Sequence, residues 1–245
     1  MDLTNKVAIV TGSSRGIGKA TVELLAERGA RVVINYKSDE VSAKAVLKSV
    51  GAKNALLVQA DVTKEDDVSN LVAATIQKFG TIDILVNNAG EILRPGDWQS
   101  DLETWQATLD VNLTSAWLMS KAVAPIMSKK RAGAIVNVTS VYGFLGAAPV
   151  LAYTVAKGGL ITLTKALAKE FAPHIRVNAV APSNVMTDMT KGAGEELIEL
   201  FRQQTPIKRI AEPAELAKTI VFLASDEASY TTGEMVVVDG GYSLK

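Results

Sequence analysis

Short apolar runs alternate with longer amphipathic segments along almost the whole chain. The runs are rich in β-branched residues and nearly continuous in apolar positions, as strands covered on both faces must be. Strands are predicted at residues 7–10, 31–35, 55–59, 82–87, 134–139, 175–180 and 235–239. Helices are predicted to begin near Gly16, Asp39, Lys64, Leu102, Ala152 and Pro213. The alternation predicts an α/β fold with a single doubly wound parallel sheet, Rossmann-like, of about seven strands with helices on both faces.

Composition narrows the class of protein. The 245 residues show no linker or low-complexity tract, so we expect one domain over residues 1–245. Lys plus Arg equals Asp plus Glu at 26 each, which argues against nucleic acid or an anionic membrane as partner. With no cysteine and one histidine, we expect no disulfide and no thiolate or histidine metal site. The polar start and the lack of a long apolar stretch predict a cytoplasmic protein.

A glycine-rich turn follows the first predicted strand. Its sequence is Thr11-Gly12-Ser13-Ser14-Arg15-Gly16-Ile17-Gly18, and a helix is predicted to begin near Gly16. Glycines let backbone N–H groups approach a pyrophosphate, and the positive end of the helix dipole favours the same anion. The order of strand, turn and helix therefore predicts a dinucleotide site, although the spacing is one residue off the commonest fingerprint.

A candidate proton donor lies in the second half of the chain. Tyr153 and Lys157 are four residues apart and share one face of a predicted helix, and Ser140 follows a predicted strand 13 residues before Tyr153. A cation one turn away is expected to lower the pKa of the phenol toward the working range. Such a phenol exchanges a proton with an alcohol or alkoxide, while Ser140 holds the reacting oxygen.

Together these motifs resemble the short-chain dehydrogenase/reductase family over essentially the whole chain. The resemblance is extended by Asn87-Asn88-Ala89-Gly90, by Asn112, by Pro182 and by Asp239-Gly240-Gly241. It implies a catalytic tetrad of Asn112, Ser140, Tyr153 and Lys157. It also implies that Asn112 bends its helix and holds a water that relays protons toward Lys157, and that Lys157 hydrogen bonds the nicotinamide ribose.

The resemblance further implies a cofactor site along the carboxyl ends of the strands. Asp61 is expected to accept from the adenine amine, because Thr63 with Asp66 already forms a cap pair, and Thr187 is expected to bind the nicotinamide carboxamide. The predicted cofactor-binding residues are Gly12, Ser14, Arg15, Gly16, Ile17, Gly18, Asn35, Lys37, Ser38, Asp61, Val62, Asn88, Ala89, Gly90, Tyr153, Lys157, Pro182, Val185 and Thr187. No residue is assigned to a metal.

Charge at the end of the second strand bears on the choice between NAD and NADP. An acid there would bind the ribose 2′-hydroxyl of NAD, but the strand ends Asn35-Tyr36-Lys37-Ser38. Arg15, Lys37 and Ser38 are available for a 2′-phosphate. We predict NADP(H), with NAD(H) still possible if Asp39 folds back toward the ribose.

Three further features concern substrate and assembly. Residues 187–204, with Gly192 and Gly194, predict a mobile substrate lid. Ser183-Asn184 stands where the family usually has glycine after the proline, which makes the Thr187 assignment less secure. Segments 102–127 and 152–171 are apolar on nearly every face, which favours a homotetramer or homodimer over burial within a monomer.

The leading hypothesis is an NADPH-dependent reductase that turns a ketone into a secondary alcohol, similar to 3-oxoacyl-[acyl-carrier-protein] reductases. Lys129-Lys130-Arg131 is a candidate patch for the acidic carrier protein; it is otherwise a solvated helix end. One alternative is a dehydrogenase of a free alcohol, diol or sugar. Another, of a different class, is a non-catalytic NADP-binding regulator, against which the complete tetrad argues.

Overall fold

The protein is described by a computed structural model over residues 1–94, 96–192 and 194–244. Its centre is one parallel sheet in the order β3-β2-β1-β4-β5-β6-β7. The strands are β1 (Val7–Val10), β2 (Arg31–Tyr36), β3 (Ala55–Gln59), β4 (Ile84–Asn87), β5 (Gly133–Val138), β6 (Ile175–Pro182) and β7 (Met235–Val238). The predicted fold class is therefore confirmed, and each predicted strand is present to within two residues at either end.

The helices connect these strands in the predicted alternation. They are α1 (Gly16–Glu27), α2 (Glu40–Val50), α3 (Glu65–Phe79), α4 (Leu102–Leu109), α5 (Ser115–Lys129), α6 (Tyr142–Leu145), α7 (Leu151–Phe171), α8 (Asp188–Lys191), α9 (Glu195–Gln204) and α10 (Pro213–Ala224). The predicted helix over 102–127 is divided, because a π-helical turn at Asp110–Thr114 joins α4 to α5.

Side chains alternate between the two faces of the sheet, and each face has its own helices. Ala8 and Val10 of β1 pack in one apolar cluster with residues of α1, α2 and α10, whereas Ile9 packs in the other with residues of α3, α5 and α7. This period of two is what a parallel sheet covered on both sides requires. The core is thus two layers separated by the sheet.

The strand order reverses between β1 and β4, which pair directly through Val10 and Val86. The chain runs outward from β1 to β3 on one side and from β4 to β7 on the other. In such sheets a crevice opens beyond the carboxyl ends of the strands at this reversal, and ligands bind there. Gly12, Asn88 and Ser140 follow the ends of β1, β4 and β5, and Pro182 is the last residue of β6.

Some features expected from the sequence stay predictions. Trp117 of α5 and Val155 of α7 are 44% and 46% exposed, consistent with the expected contact with a second copy, which the single chain does not test. The expected lid consists of α8 and α9, with Gly194 at a positive φ of 89° between them. Residue 193, within the lid range, lies outside the described residues.

Among the described residues, no helix combines the length and the apolar character needed to cross a bilayer.

Candidate active site

The glycine turn after β1 packs against the loop after β4 without room for side chains. A Cβ at Gly12, whose φ is 59°, would lie 3.0 Å from Cα of Ala89, and one at Gly18 would lie 2.5 Å from Nδ2 of Asn88. Asn88 in turn donates through Nδ2 to the carbonyls of Thr11 and Gly12, at 2.9 and 3.0 Å. Four of the predicted cofactor residues, Gly12, Gly18, Asn88 and Ala89, thus hold the turn against the loop after β4.

The N-terminus of α1 is open to a ligand. Arg15 is its N-cap, its side chain makes no capping hydrogen bond, and the first turn carries no acid. By contrast, Asp39 and Asp101 cap α2 and α4 with their carboxylates. The first N–H groups of a helix need an acceptor, and a pyrophosphate satisfies both them and the dipole. The cradle of glycines and the uncapped helix fit a dinucleotide.

Two polar side chains beneath the turn were not predicted to act as supports. The hydroxyl of Thr11 accepts from the N–H groups of Asn88 and Ala89, both at 3.0 Å. Asn35, 2% exposed, accepts from the N–H of Gly12 at 3.1 Å and donates to the carbonyl of Ala60 at 3.0 Å. Its amide therefore shapes the turn from within, and its contact with cofactor stays a prediction. The signal for Thr11 is a β-branched hydroxyl directly after a strand.

Ser140, Tyr153 and Lys157 come together at the carboxyl end of β5. The hydroxyl of Ser140 lies close enough to that of Tyr153 to lower the pKa of the phenol. Lys157 lies one turn along α7, its Nζ 5.5 Å from the centre of the Tyr153 ring and 2.9 Å from the carbonyl oxygen of Val138, to which it donates. The helical spacing and the strand end therefore place three predicted catalytic groups in one cluster.

Asn112 joins this cluster from the π-helical turn. Its amide donates to the carbonyls of Glu91 and Thr108, at 2.7 and 2.9 Å, and accepts from the N–H of Glu91 at 3.2 Å. A Cβ on Gly90 would lie 2.8 Å from Oδ1 of Asn112 and 3.1 Å from Nζ of Lys157. The loop after β4 thus runs from the glycine turn at Ala89 to the tetrad at Gly90, and links the two predicted sites.

Known proteins are similar to this chain over nearly their full length. A family model described as enoyl-(acyl carrier protein) reductase matches residues 12–243. The 3-oxoacyl-[acyl-carrier-protein] reductase of Synechocystis sp. is 46% identical over 98% of this chain and 97% of its own. Those of Vibrio cholerae and Staphylococcus epidermidis are 44% and 39% identical over at least 97% of either chain.

The chain belongs to the short-chain dehydrogenase/reductase family. It is accordingly an oxidoreductase that uses a nicotinamide cofactor.

The acidity of the tyrosine is central to the chemistry of a short-chain dehydrogenase/reductase. The pKa of Tyr153 in the structure differs from the one expected from its spacing to Lys157. Burial raises the pKa of Tyr153 to about 12, and the hydroxyl of Ser140 opposes this rise only in part.

The expectation that Lys157 lowers the pKa of Tyr153 is therefore wrong for this structure. Spacing showed that the two side chains share a helix face, but it did not show how deeply both are buried. Lys157 is 3% exposed, and this burial lowers its own pKa to about 8. Its ammonium points at the Val138 carbonyl. Desolvation disfavours both charged forms and is the largest cause of both pKa shifts.

A second correction concerns Asp61. Its Oδ1 accepts from the N–H and the hydroxyl of Thr63, at 3.1 and 2.8 Å, and its Oδ2 pairs with Nζ of Lys37 at 2.9 Å. The predicted cap pair of Thr63 and Asp66 does not form, because α3 begins at Glu65 with Lys64 as its N-cap. Asp61 thus already has two partners, and its contact with the adenine amine stays a prediction. Partial burial raises the pKa of the carboxyl, but hydrogen bonds from Lys37 and Thr63 outweigh burial and lower it.

Asp39, the acid that left NAD(H) possible as the cofactor, is also engaged in a hydrogen bond. Asp39 caps α2 by accepting from the N–H of Ser42 at 3.0 Å, and this bond lowers the pKa of the carboxyl. Arg15, Lys37 and Ser38 are exposed around it. Lys37 and Ser38 follow β2, and Arg15 precedes α1, so all three lie at the same edge of the sheet.

The loop after β6 brings further predicted residues to the turn. A Cβ on Gly16 would lie 3.2 Å from Cγ2 of Thr187, so Thr187 faces the start of α1. The N–H of Thr187 donates to the carbonyl of Val185 at 2.7 Å. Ser183, one of the residues that departs from the family pattern, donates its hydroxyl to the carbonyl of Asp239 at 3.1 Å.

The remaining predicted cofactor residues are buried or partly buried. Val62 is 6% exposed within one core cluster, and Ile17 packs against the other. Pro182 is buried and accepts from the N–H of Val141 at 3.0 Å. Ser14 is partly buried within the glycine turn. Val62, Ile17 and Pro182 thus pack within the protein, and contact of these residues and Ser14 with a cofactor stays a prediction.

The basic run after α5 is placed differently from a simple solvated end. Nζ of Lys130 donates to the carbonyl of Ile82 at 2.7 Å and forms an ion pair with Asp83, which also accepts from the N–H of Val7. These residues precede β5, β4 and β1, so the run lies at the amino edge of the sheet. Within one chain, that edge is opposite the tetrad.

Proposed function

We propose that the chain is an NADPH-dependent reductase of 3-oxoacyl groups carried on an acyl carrier protein. The observation that carries the proposal is the meeting of the Ser140 and Tyr153 hydroxyls in the same crevice as the glycine turn. Two hydroxyls at one point suit an oxygen that becomes negative during reaction. The names of the relatives supply the substrate class, and the tetrad supplies the chemistry.

The residues have separate roles in this reaction. The hydroxyls of Ser140 and Tyr153 hold the ketone oxygen, and Tyr153 gives that oxygen its proton. A reduced nicotinamide, when bound, supplies a hydride to the carbonyl carbon. Hydride plus proton converts the ketone to a secondary alcohol. Lys157, with a pKa of about 8, is charged at neutral pH and beside Asn112, where it can return a proton toward Tyr153.

The pKa of Tyr153 favours reduction over oxidation. A phenol with a pKa of about 12 is protonated at neutral pH, ready to donate to an alkoxide, which is a much stronger base. Oxidation of a free alcohol would need the phenolate, which burial disfavours. This observation places the alcohol, diol or sugar dehydrogenase second.

The preference for NADPH is supported by the charges around the ribose position. Arg15 and Lys37 are exposed cations, and Asp39 is held by Ser42. A 2′-phosphate would compete with Asp61 for Lys37, because these two side chains are paired at 2.9 Å. The pair is surface-exposed on the lysine side, so exchanging partners has a low cost.

The names of the family model and of the relatives differ in the bond reduced. The family model is described as an enoyl reductase, which acts on a carbon–carbon double bond, whereas the relatives are named 3-oxoacyl reductases. The two converging hydroxyls favour the carbonyl, because its oxygen takes up the developing charge. The carrier protein remains the less direct part of the proposal, since Lys130 is already paired with Asp83.

The proposal extends to the organisation of the molecule. Residues 1–245 act as one domain in the cytoplasm, α8 and α9 cover the substrate as a lid, and copies associate through α5 and α7. The half-exposed Trp117 and Val155 support the association, and the glycine at φ 89° before α9 supports a hinge.

The test is to follow oxidation of NADPH with a 3-oxoacyl thioester, on acyl carrier protein and on a short free thiol, beside the matching enoyl thioester. Tyr153→Phe should lower kcat at least about 100-fold, because a general acid contributes at least that much. The dissociation constant for NADPH should change little, and Tyr230→Phe, at a fully exposed site, serves as control. Retained turnover in Tyr153→Phe, or reduction of the enoyl thioester alone, would contradict the proposal.

A further inference from the structure

A second pair of phenols lies next to the tetrad. Tyr142 begins α6, two residues after Ser140, and its ring stands at 73° to that of Tyr242, with 6.4 Å between the ring centres. The two rings are in edge-to-face contact, and Tyr242 donates its O–H to Oε1 of Gln204 at 3.3 Å. Gln204 is the last residue of α9.

Of the two phenols, Tyr142 is fixed to the catalytic groups. The N–H of Tyr142 donates to Oγ of Ser140 at 3.2 Å, and the N–H of Gly143 donates to the carbonyl of Ser140 at 3.0 Å. A Cβ on Gly143 would lie 2.8 Å from the carbonyl carbon of Lys157. The one-turn helix α6 therefore packs backbone to backbone on α7 at the catalytic lysine.

The end at Tyr242 is equally held. The carboxylate of Asp239 accepts from the N–H groups of Gly241 and Ser243, both at 2.8 Å. A Cβ on Gly240 would lie 2.8 Å from side-chain carbons of Thr205 and Ile207. The turn that carries Tyr242 thus packs on the segment directly after α9.

Helix α9 depends on few other contacts. Ile198 is its one buried residue, at 6% exposure, and its N-cap Gly194 makes no side-chain capping bond. Ile198 anchors the first turn of the helix, and the bond to Tyr242 holds its last residue, Gln204.

We propose that Tyr142, Tyr242 and Gln204 form a bridge, made of the ring contact and the hydrogen bond to Gln204, that ties the C-terminal end of α9 to the Ser140 loop. Through it, Tyr142 and Tyr242 act as positioning residues for the substrate wall of the site. This inference assigns α9 to substrate binding, and in that respect it rests on the proposed function. It makes the placement of α9 depend on the loop that holds Ser140, so substrate meets a wall already aligned with the reacting hydroxyls.

The kinetic test uses Tyr142→Leu, which removes the ring contact, Tyr242→Phe, which removes the bond to Gln204, and the double variant, with Tyr230→Phe as the exposed control. Each change breaks one link of the bridge, so KM for a 3-oxoacyl thioester should rise, by about 2- to 12-fold in Tyr242→Phe, the range for one lost hydrogen bond. Values of kcat and of the dissociation constant for NADPH should stay within about twofold. The double variant should equal the worse single variant, because both break one bridge.

A readout without substrate separates this inference from the proposed function. Hydrogen exchange of the amides at 199–207 should be faster in Tyr242→Phe than in wild type, and unchanged in Tyr230→Phe. Faster exchange with no ketone turnover in wild type would refute the reductase and keep the bridge. Unchanged exchange, unchanged KM or additive effects in the double variant would overturn the bridge.

Discussion

Removing the catalytic lysine should make the protein more stable while it destroys activity. Lys157 is 3% exposed, and burial lowers its pKa from 10.5 to about 8. The shift of about 2.5 units corresponds to about 3 kcal/mol, since one unit is about 1.4 kcal/mol. That amount is the free energy by which burial of the ammonium destabilises the fold below pH 8.

The sign follows from proton linkage. Between pH 8 and 10.5 the unfolded chain binds more protons at this lysine than the folded chain does, so stability rises with pH in that window. Below pH 8 both states are protonated and the full cost is present. Lys157→Met removes the cost, but it also removes the hydrogen bond to Val138, which is worth about 1 kcal/mol. We therefore expect a net gain of about 2 kcal/mol at pH 7.

The assay is reversible urea unfolding of wild type and Lys157→Met at equal protein concentration, at pH 7 and pH 9.5. In thermal unfolding, the same gain in the free energy of unfolding at pH 7 corresponds to a rise in Tm of about 4–8 °C. At pH 9.5 it should fall to near zero, because wild type has by then recovered about 2 kcal/mol. Lys48→Met, at an exposed position of α2, should show no such pH dependence. A variant less stable than wild type at pH 7, or a difference that does not change with pH, would refute the reasoning.

Two further predictions concern the cofactor edge and the junction between turn and tetrad. Lys37→Met should raise KM for NADPH about 10- to 100-fold, because it removes a charged hydrogen bond, and should leave KM for NADH unchanged. Lys48→Met is the matched control. Equal effects on the two cofactors would contradict the 2′-phosphate assignment. Gly90→Ala should lower kcat at least about tenfold with the fold retained by circular dichroism, because its Cβ would lie 2.8 Å from Oδ1 of Asn112, which Glu91 holds in place; a variant with full kcat would contradict this.

Local patterns predicted the parts of the site that depend on adjacent residues. The run before Gly12 and the glycines after it predicted a strand, a tight turn and a helix, and α1 begins at Gly16 as expected. Spacing along one helix placed Lys157 beside Tyr153. The π-helical turn at Asn112 was implied only by the family resemblance, since nothing in the local sequence breaks the apolar pattern.

Errors arose where a side chain had a choice of partners distant in sequence. Asp61 was expected to be free, but it accepts from Thr63 and pairs with Lys37, 24 positions away. Tyr142 and Tyr242 are 100 positions apart and were not singled out, since neither stands in a motif. Such contacts depend on which loops meet at the carboxyl edge of the sheet, and a reading of local pattern does not reveal them.

The sequence by itself determined the order of strands and helices, the two-sided burial of the sheet and the meeting of the glycine turn with Ser140, Tyr153 and Lys157. These follow from periodicity and from the rule that parallel strands end at one edge. Only the tertiary structure decided the acidity of the phenol. A pKa sums desolvation over every neighbour, so burial raised that of Tyr153 although a lysine lies one turn away.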